Sequence, residues 1–105
     1  MIITTTDSIP GKEIGEILGL VKGNTIRARN LGRDILAVFK GMIGGEIEEY
    51  TKLMGEAREQ ALDRMKGMAE ELGADAIINV RFATSYIMAN AAEILVYGTA
   101  VKLKN

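Results

Sequence analysis

The sequence predicts an α+β fold, a small β-sheet carrying one short and one long helix. Three observations lead there. From Ile47 to Leu72 the apolar residues Ile47, Tyr50, Met54, Ala57, Ala61, Met65, Met68 and Leu72 are spaced 3, 4, 3, 4, 4, 3 and 4, the period of one helical face. Ala76, Ile78, Val80, Phe82, Tyr86 and Met88 alternate with Asn79, Arg81 and Ser85, the period of a half-buried strand. Between Glu93 and Leu103 both parities are apolar, Ile94, Val96 and Ala100 on one and Leu95, Tyr97, Val101 and Leu103 on the other. A strand of that kind is covered on both faces.

Taken in order, Ile2–Thr6 is rich in β-branched residues and reads as a short strand, closed by a turn at Pro10-Gly11. The next segment reads two ways. Gly11, Gly15, Gly19 and Gly23 recur every four residues, and Ile14, Ile17, Leu18 and Val21 fit a helical face. Each glycine inside a helix costs roughly 1 kcal/mol relative to alanine, so three or four would cancel the packing gain. A strand puts the four glycines on one face, where backbone approaches backbone and bulges form. The reading adopted is a strand that continues past a turn or bulge at Gly23-Asn24 into Thr25–Ala28. Asn30 or Asp34 then caps a short helix through Ile35, Leu36, Val38, Phe39 and Met42, which Gly44-Gly45 stops. The long helix spans Glu46 to Leu72, with Lys52, Glu56, Glu59, Asp63, Lys66 and Glu70 on its polar face and Gly73 at the left-handed C′ position. The last two strands meet at an Asn90-Ala91 turn.

With 105 residues, the chain makes one domain, 1–105. It holds no cysteine and no histidine, which removes disulfides, Cys/His zinc sites, thiolate catalysis and imidazole acid–base chemistry. Thirteen basic against fourteen acidic residues leave a net charge of −1, so no bulk field draws the protein to nucleic acid or anionic lipid. There is no apolar run of membrane-spanning length and no signal-peptide pattern at Met1–Asp7. The expectation is a cytoplasmic protein without nucleic-acid or membrane partners and without a cofactor.

Length also bears on assembly. A globule of this size has a radius of gyration of roughly 13 Å, whereas a helix of about 28 residues runs to roughly 42 Å. The excess helix needs a neighbour, and Gly55, Ala57 and Ala61 suit close helix–helix approach. A final strand covered on both faces in so small a domain points the same way. The expectation is a homo-oligomer.

Candidate chemistry is sparse. Arg27, Arg29 and Arg33 precede a helix start, a place where guanidinium groups and free helix amides hold phosphate or carboxylate. No glycine-rich phosphate loop accompanies them and no aromatic residue interleaves, so a surface cluster or inter-subunit ion pairs is the simpler reading. Glu56, Glu59 and Asp63 share a face that a hard cation would accept, yet a solvated helix face explains them. Met65 and Met68 offer thioethers to a soft ion, yet methionine at this spacing is ordinarily core or interface. Ser8 and Ser85 are the only serines, and no histidine exists to activate either. Lysine or tyrosine catalysis, with Tyr50, Tyr86 or Tyr97, is unmarked by any spacing. The balance is against an enzyme.

The order of several short motifs resembles one family over nearly the whole chain. They are Gly11-Lys12-Glu13-Ile14, Asn30-Leu31-Gly32-Arg33-Asp34, Gly44-Gly45-Glu46 with Glu49-Tyr50, Ala57-Arg58, Ala69, Gly73-Ala74-Asp75-Ala76-Ile77, Arg81-Phe82 and Tyr97-Gly98-Thr99-Ala100-Val101. Together they resemble the YbjQ-like family, small bacterial and archaeal proteins labelled as heavy-metal-binding. The resemblance implies a compact α+β subunit in a homopentameric ring, and it implies a strand for the glycine-spaced segment. It supplies no mechanism, and the metal label carries no ligand motif that transfers to these residues. Where family motif and physical argument coincide, the ligand-binding candidates are Arg33 and Asp34 at one helix start, Glu46 at another and Arg81 within an apolar strand, with Arg27 beside the first pair. A buried Arg81 would need an acidic partner, within the subunit or across a boundary. The favoured expectation is a structural or small-ligand-binding oligomer, the ligand a small anion near Arg27–Asp34. A metal-binding protein and an enzyme with a Lys/Tyr/carboxylate site at a subunit boundary are the alternatives.

Overall fold

The glycine-spaced segment is a strand. In the computed structural model, which describes residues 1–28, 48–88 and 91–105 and leaves aside the side chains of 27, 28, 48–53, 86–88 and 91, it forms the longest element of the sheet. The strands are β1 (Ile2–Ile3), β2 (Ile14–Ala28), β3 (Ala76–Met88) and β4 (Ala91–Leu103), in spatial order β1-β3-β4-β2. β1 runs parallel to β3, and the other pairs are antiparallel. Among the described residues one helix, α1 (Glu48–Glu71), lies between β2 and β3 in the chain. The expected short helix between Asn30 and Met42 lies outside the described residues, as do the Gly44-Gly45 stop and Asn90 of the last turn.

The four glycines have separate tasks instead of sharing one face. Gly11 takes a left-handed φ of 76° in the turn after Pro10, where Lys12 N donates to Ile9 O. Gly15 and Gly19 sit where the β2–β4 register shifts, and Gly19 has φ 128°. Gly23 and Asn24 pair with Val96 and Leu95 without interruption, so the expected turn there is absent. Close approach to another backbone falls on Gly23 alone of the four: a Cβ there would overlap the Ala61 carbonyl oxygen and the Met65 amide nitrogen.

α1 therefore packs on its own sheet. Ala57, Ala61, Met65 and Ala69 are fully buried against Val21, Ile94, Val96 and Ala100. The sequence predicts a wider stripe that includes Met68 and Leu72, but both are exposed while Ala69 takes the inner position. Alanine at three of these four positions, 57, 61 and 69, lets the helix axis descend onto the strand. The expected helix–helix role of Ala57 and Ala61 is accordingly replaced by a helix–sheet contact within the chain. Gly73, at φ 76°, ends the helix: Ala74 N donates to Ala69 O and Gly73 N to Glu70 O, at 3.1 and 3.0 Å. This is the left-handed cap the sequence predicts.

β3 departs from simple alternation. Ile78 stands opposite Thr99 and Arg81 opposite Tyr97, so Asn79 and Val80 together face Gly98. Asn79 absorbs this bulge with φ 53°, a conformation that asparagine tolerates better than most residues. The bulge sends Val80 to the α1 side beside Ile77, whereas Ile78 packs with Ala76 and Val101 on the other side, under Ile9, Ile14 and Leu103. Gly98 accommodates the pinch: a Cβ would lie 2.7 Å from Ile77 Cγ2 and 3.0 Å from Ile78 O.

The chain is elongated, not compact. Its extents are 55 × 22 × 16 Å and its radius of gyration is 17.4 Å, against roughly 13 Å for a globular chain of this length. The 15 residues of β2 alone reach about 50 Å. That length also removes the argument that α1 outruns its own body: its 24 residues, about 36 Å, lie within the span of the strand.

Candidate functional site

Ladder register divides the sheet into two faces, because directly opposed residues of antiparallel strands share a side. Val21, Gly23 and Thr25 oppose Gly98, Val96 and Ile94 beneath α1. Leu20, Lys22, Asn24 and Ile26 oppose Thr99, Tyr97, Leu95 and Glu93 on the other face. N-terminal residues cover that second face only around Ala76, Ile78 and Val101. Beyond them Leu20 is 64%, Ile26 57% and Tyr97 37% exposed, and Arg81, Ala83 and Ser85 are exposed as well. The expectation that β4 is covered on both sides thus holds for one face along the α1 contact and for one end of the other.

Polar contacts tie the elements together. Thr25 Oγ1, 4% exposed with its residue, donates to the Ala57 carbonyl at 2.7 Å and joins β2 to α1. Arg64 Nη1 donates to the Asn24 carbonyl, and Asn24 Nδ2 donates to Glu93 Oε2 at 3.2 Å.

Of the sequence-predicted ligand residues, Arg81 has a described side chain. It is exposed, and its Nη1 donates to the carbonyls of Thr5 at 2.9 Å and Val80 at 2.8 Å. Arg81 is not buried within the chain: the bulge at Asn79 moves Val80 to the core side and leaves Arg81 outside, within reach of the N-terminal backbone. Arg27 ends β2 one residue before Ala28, with its side chain outside the description. Arg33, Asp34 and Glu46 lie outside the described residues.

One open cleft of about 770 Å³ lies at the other end of the molecule, lined by Gly11, Lys12, Glu13, Asp75, Leu103, Lys104 and Asn105. Its groups bond one another. Asp75 Oδ2 accepts from Leu103 N at 2.9 Å, and Lys104 Nζ lies 3.7 Å from Glu13 Oε2 in an exposed ion pair. Sequence reasoning did not single out these residues, and only the Gly11–Ile14 and Gly73–Ile77 motifs pointed near them.

Among the described residues no group of three or more Asp and Glu side chains converges as metal ligands. Met65 is buried in the core and Met68 is on the surface, so the two thioethers do not face one site. No helix among the described residues is long and apolar enough to cross a membrane.

Comparison with known proteins adds a lineage. A family model described as "Putative heavy-metal-binding" matches residues 1–104. The chain is 60% identical over 103 residues to a UPF0145 protein of Methanoculleus marisnigri, covering 98% of this chain and 96% of that protein. It is 59% identical over 104 residues to a UPF0145 protein of Archaeoglobus fulgidus, covering 99% and 96%. A crystal structure of a protein of unknown function from Pediococcus pentosaceus, of the DUF74 family, covers 99% of this chain and 98% of that one at a TM-score of 0.64. At 20% identity that likeness concerns the fold alone.

Proposed function

This chain belongs to the YbjQ family, and we propose that it works as a homo-oligomer, a pentameric ring of structural or small-ligand-binding character with no catalytic centre in the subunit. The observation that carries this reading is the open sheet face, where Leu20 and Ile26 stand more than half exposed beside Tyr97 and Leu95. Lys22 and Arg81 oppose Tyr97 on its two sides, and exposed aliphatic and aromatic groups interleaved with arginine are the composition of a protein interface. The elongated shape supports the same reading, since a neighbour would supply the missing cover. The ring is placed in the cytoplasm, and any ligand is a small anion held near Arg27, Arg33, Asp34 and Glu46.

The family's description favours a second reading, a metal-binding protein. The donor set of this chain fits it poorly. Heavy metals prefer thiolate and imidazole, the sequence contains neither, and the described carboxylates form no convergent group. Isothermal titration of tag-free protein with Cu(I), Zn²⁺ and Cd²⁺ separates the readings. The structural reading expects no binding below micromolar dissociation constants, and sub-micromolar binding replaces it with the metal one.

A further inference from the structure

We propose that the bulge of β3 is a binding site for a small oxyanion of the phosphate class, and that the chain's own N-terminal segment occupies this site in competition with the anion. The site depends neither on assembly nor on the anion placed near Arg27.

The bulge turns two successive amides to one side. Asn79 sits at φ 53°. Its N–H and that of Val80 both point to the β1 side of β3, where they donate to Thr6 O and Thr4 O, each at 3.0 Å. Successive amides gathered around a left-handed residue make a concavity that binds anions. Arg81 Nη1 adds a third donor, to Thr5 O at 2.9 Å. Three consecutive residues of β3 thus hold three consecutive carbonyl oxygens. A tetrahedral oxyanion offers its own oxygens to the same donors.

Charge favours the exchange. The present occupants are neutral carbonyls, whereas the guanidinium is cationic, and a hydrogen bond between ionised partners is roughly twice as strong as one between neutral groups. Both bonds of Arg81 use Nη1, and among the described residues no carboxylate pairs with it. Asp7, the one acid before Glu13, belongs to the segment that the anion displaces and leaves with it.

The segment is built to lift as a unit. The Thr4 and Thr6 hydroxyls bond each other at 2.8 Å, Thr6 N donates to Thr4 Oγ1 at 3.2 Å, and Thr6 Oγ1 donates to Ser8 O at 2.7 Å. The bend therefore carries its own bonds away with it. Apart from the contacts at the bulge, Thr4 N donates to Ile77 O at 2.9 Å and Ile2 N to Asp75 O at 3.4 Å. Met1, Ile2 and Ile3 are exposed, so little apolar burial opposes release. A segment held by a few exposed backbone bonds opens at small cost. Ile9, packed with Ala76, Ile78 and Val101, anchors its far end.

Hydrogen–deuterium exchange of the full chain reads both partners at once, in inorganic phosphate against chloride at equal ionic strength. Phosphate is expected to speed exchange over residues 2–6 while the amides of Asn79 and Val80 stay protected. Thr4→Pro removes the donor to Ile77 O, and Ile3 before it is already extended, as proline requires. Loss of one such bond favours the open segment and lowers the phosphate concentration at half effect by about fivefold. Arg81→Gln is expected to abolish the phosphate response with the far-ultraviolet circular dichroism unchanged. Equal exchange in phosphate and chloride for the unmodified chain overturns the site, whether or not Thr4→Pro folds. A response that survives Arg81→Gln overturns the assignment of the guanidinium. Slower exchange over residues 2–6 in phosphate overturns the competition.

Discussion

Gly23 of β2 lies directly beneath Ala61 of α1, so close that a Cβ on the strand would occupy the space of the helix carbonyl oxygen. Backbone faces backbone here, with Met65 N on the same side and Arg64 Cβ at 3.0 Å from the added atom. Neither partner is a flexible side chain able to swing away. Gly23→Ala must therefore push α1 off the sheet or bend β2, and overpacking of this kind typically costs 1–3 kcal/mol, occasionally more. The expected result is at least about 3 kcal/mol of lost stability, a fall in melting temperature above about 10 °C at fixed protein concentration by circular dichroism. An unchanged melting temperature contradicts the close approach.

Two residues further on, Thr25 joins the same two elements by a buried hydroxyl–carbonyl bond at 2.7 Å. Thr25→Val keeps the shape and removes the donor, while the Ala57 carbonyl retains its place in the helical ladder. The expected cost is about 1 kcal/mol, the usual net worth of one such bond. Thr25→Ser keeps the hydroxyl and is expected to lose less in the same chemical-denaturation series. A valine variant as stable as the parent removes this tie from the account.

Leu20 tests the open face without touching the core. It is 64% exposed in the subunit, so Leu20→Glu places a charge in solvent if the chain stands alone and in an interface if it does not. A desolvated, unpaired carboxylate is costly. The expected outcome is an intact far-ultraviolet spectrum with a smaller particle by light scattering. A particle of unchanged mass moves the interface elsewhere.

Much of this architecture is legible in the sequence because it rests on local chemistry. The alternation that predicts a strand over Ala76–Met88 coincides with β3. Gly73 caps α1 because only a left-handed residue ends the helix where Glu70 and Ala69 offer their carbonyls. What could not be read depends on contacts between distant segments. Nothing near Ala69 says that it, and not Met68, faces inward; the answer comes from how closely β2 lies beneath α1. Asn79 looks like one polar residue in an alternating run, yet it inverts the run's parity by absorbing a bulge opposite Gly98. Arg81 is displaced by that inversion and meets the Thr5 carbonyl. The other ligand candidates, Arg33, Asp34 and Glu46, lie outside the described residues.

The central claim, that this subunit is completed by copies of itself, is tested most directly by its mass in solution. Multi-angle light scattering across a dilution series through micromolar concentration is predicted to give a discrete particle near five times the 11.4 kDa chain mass. A particle of 11.4 kDa throughout the series would contradict it, and with it the role assigned to the open sheet face.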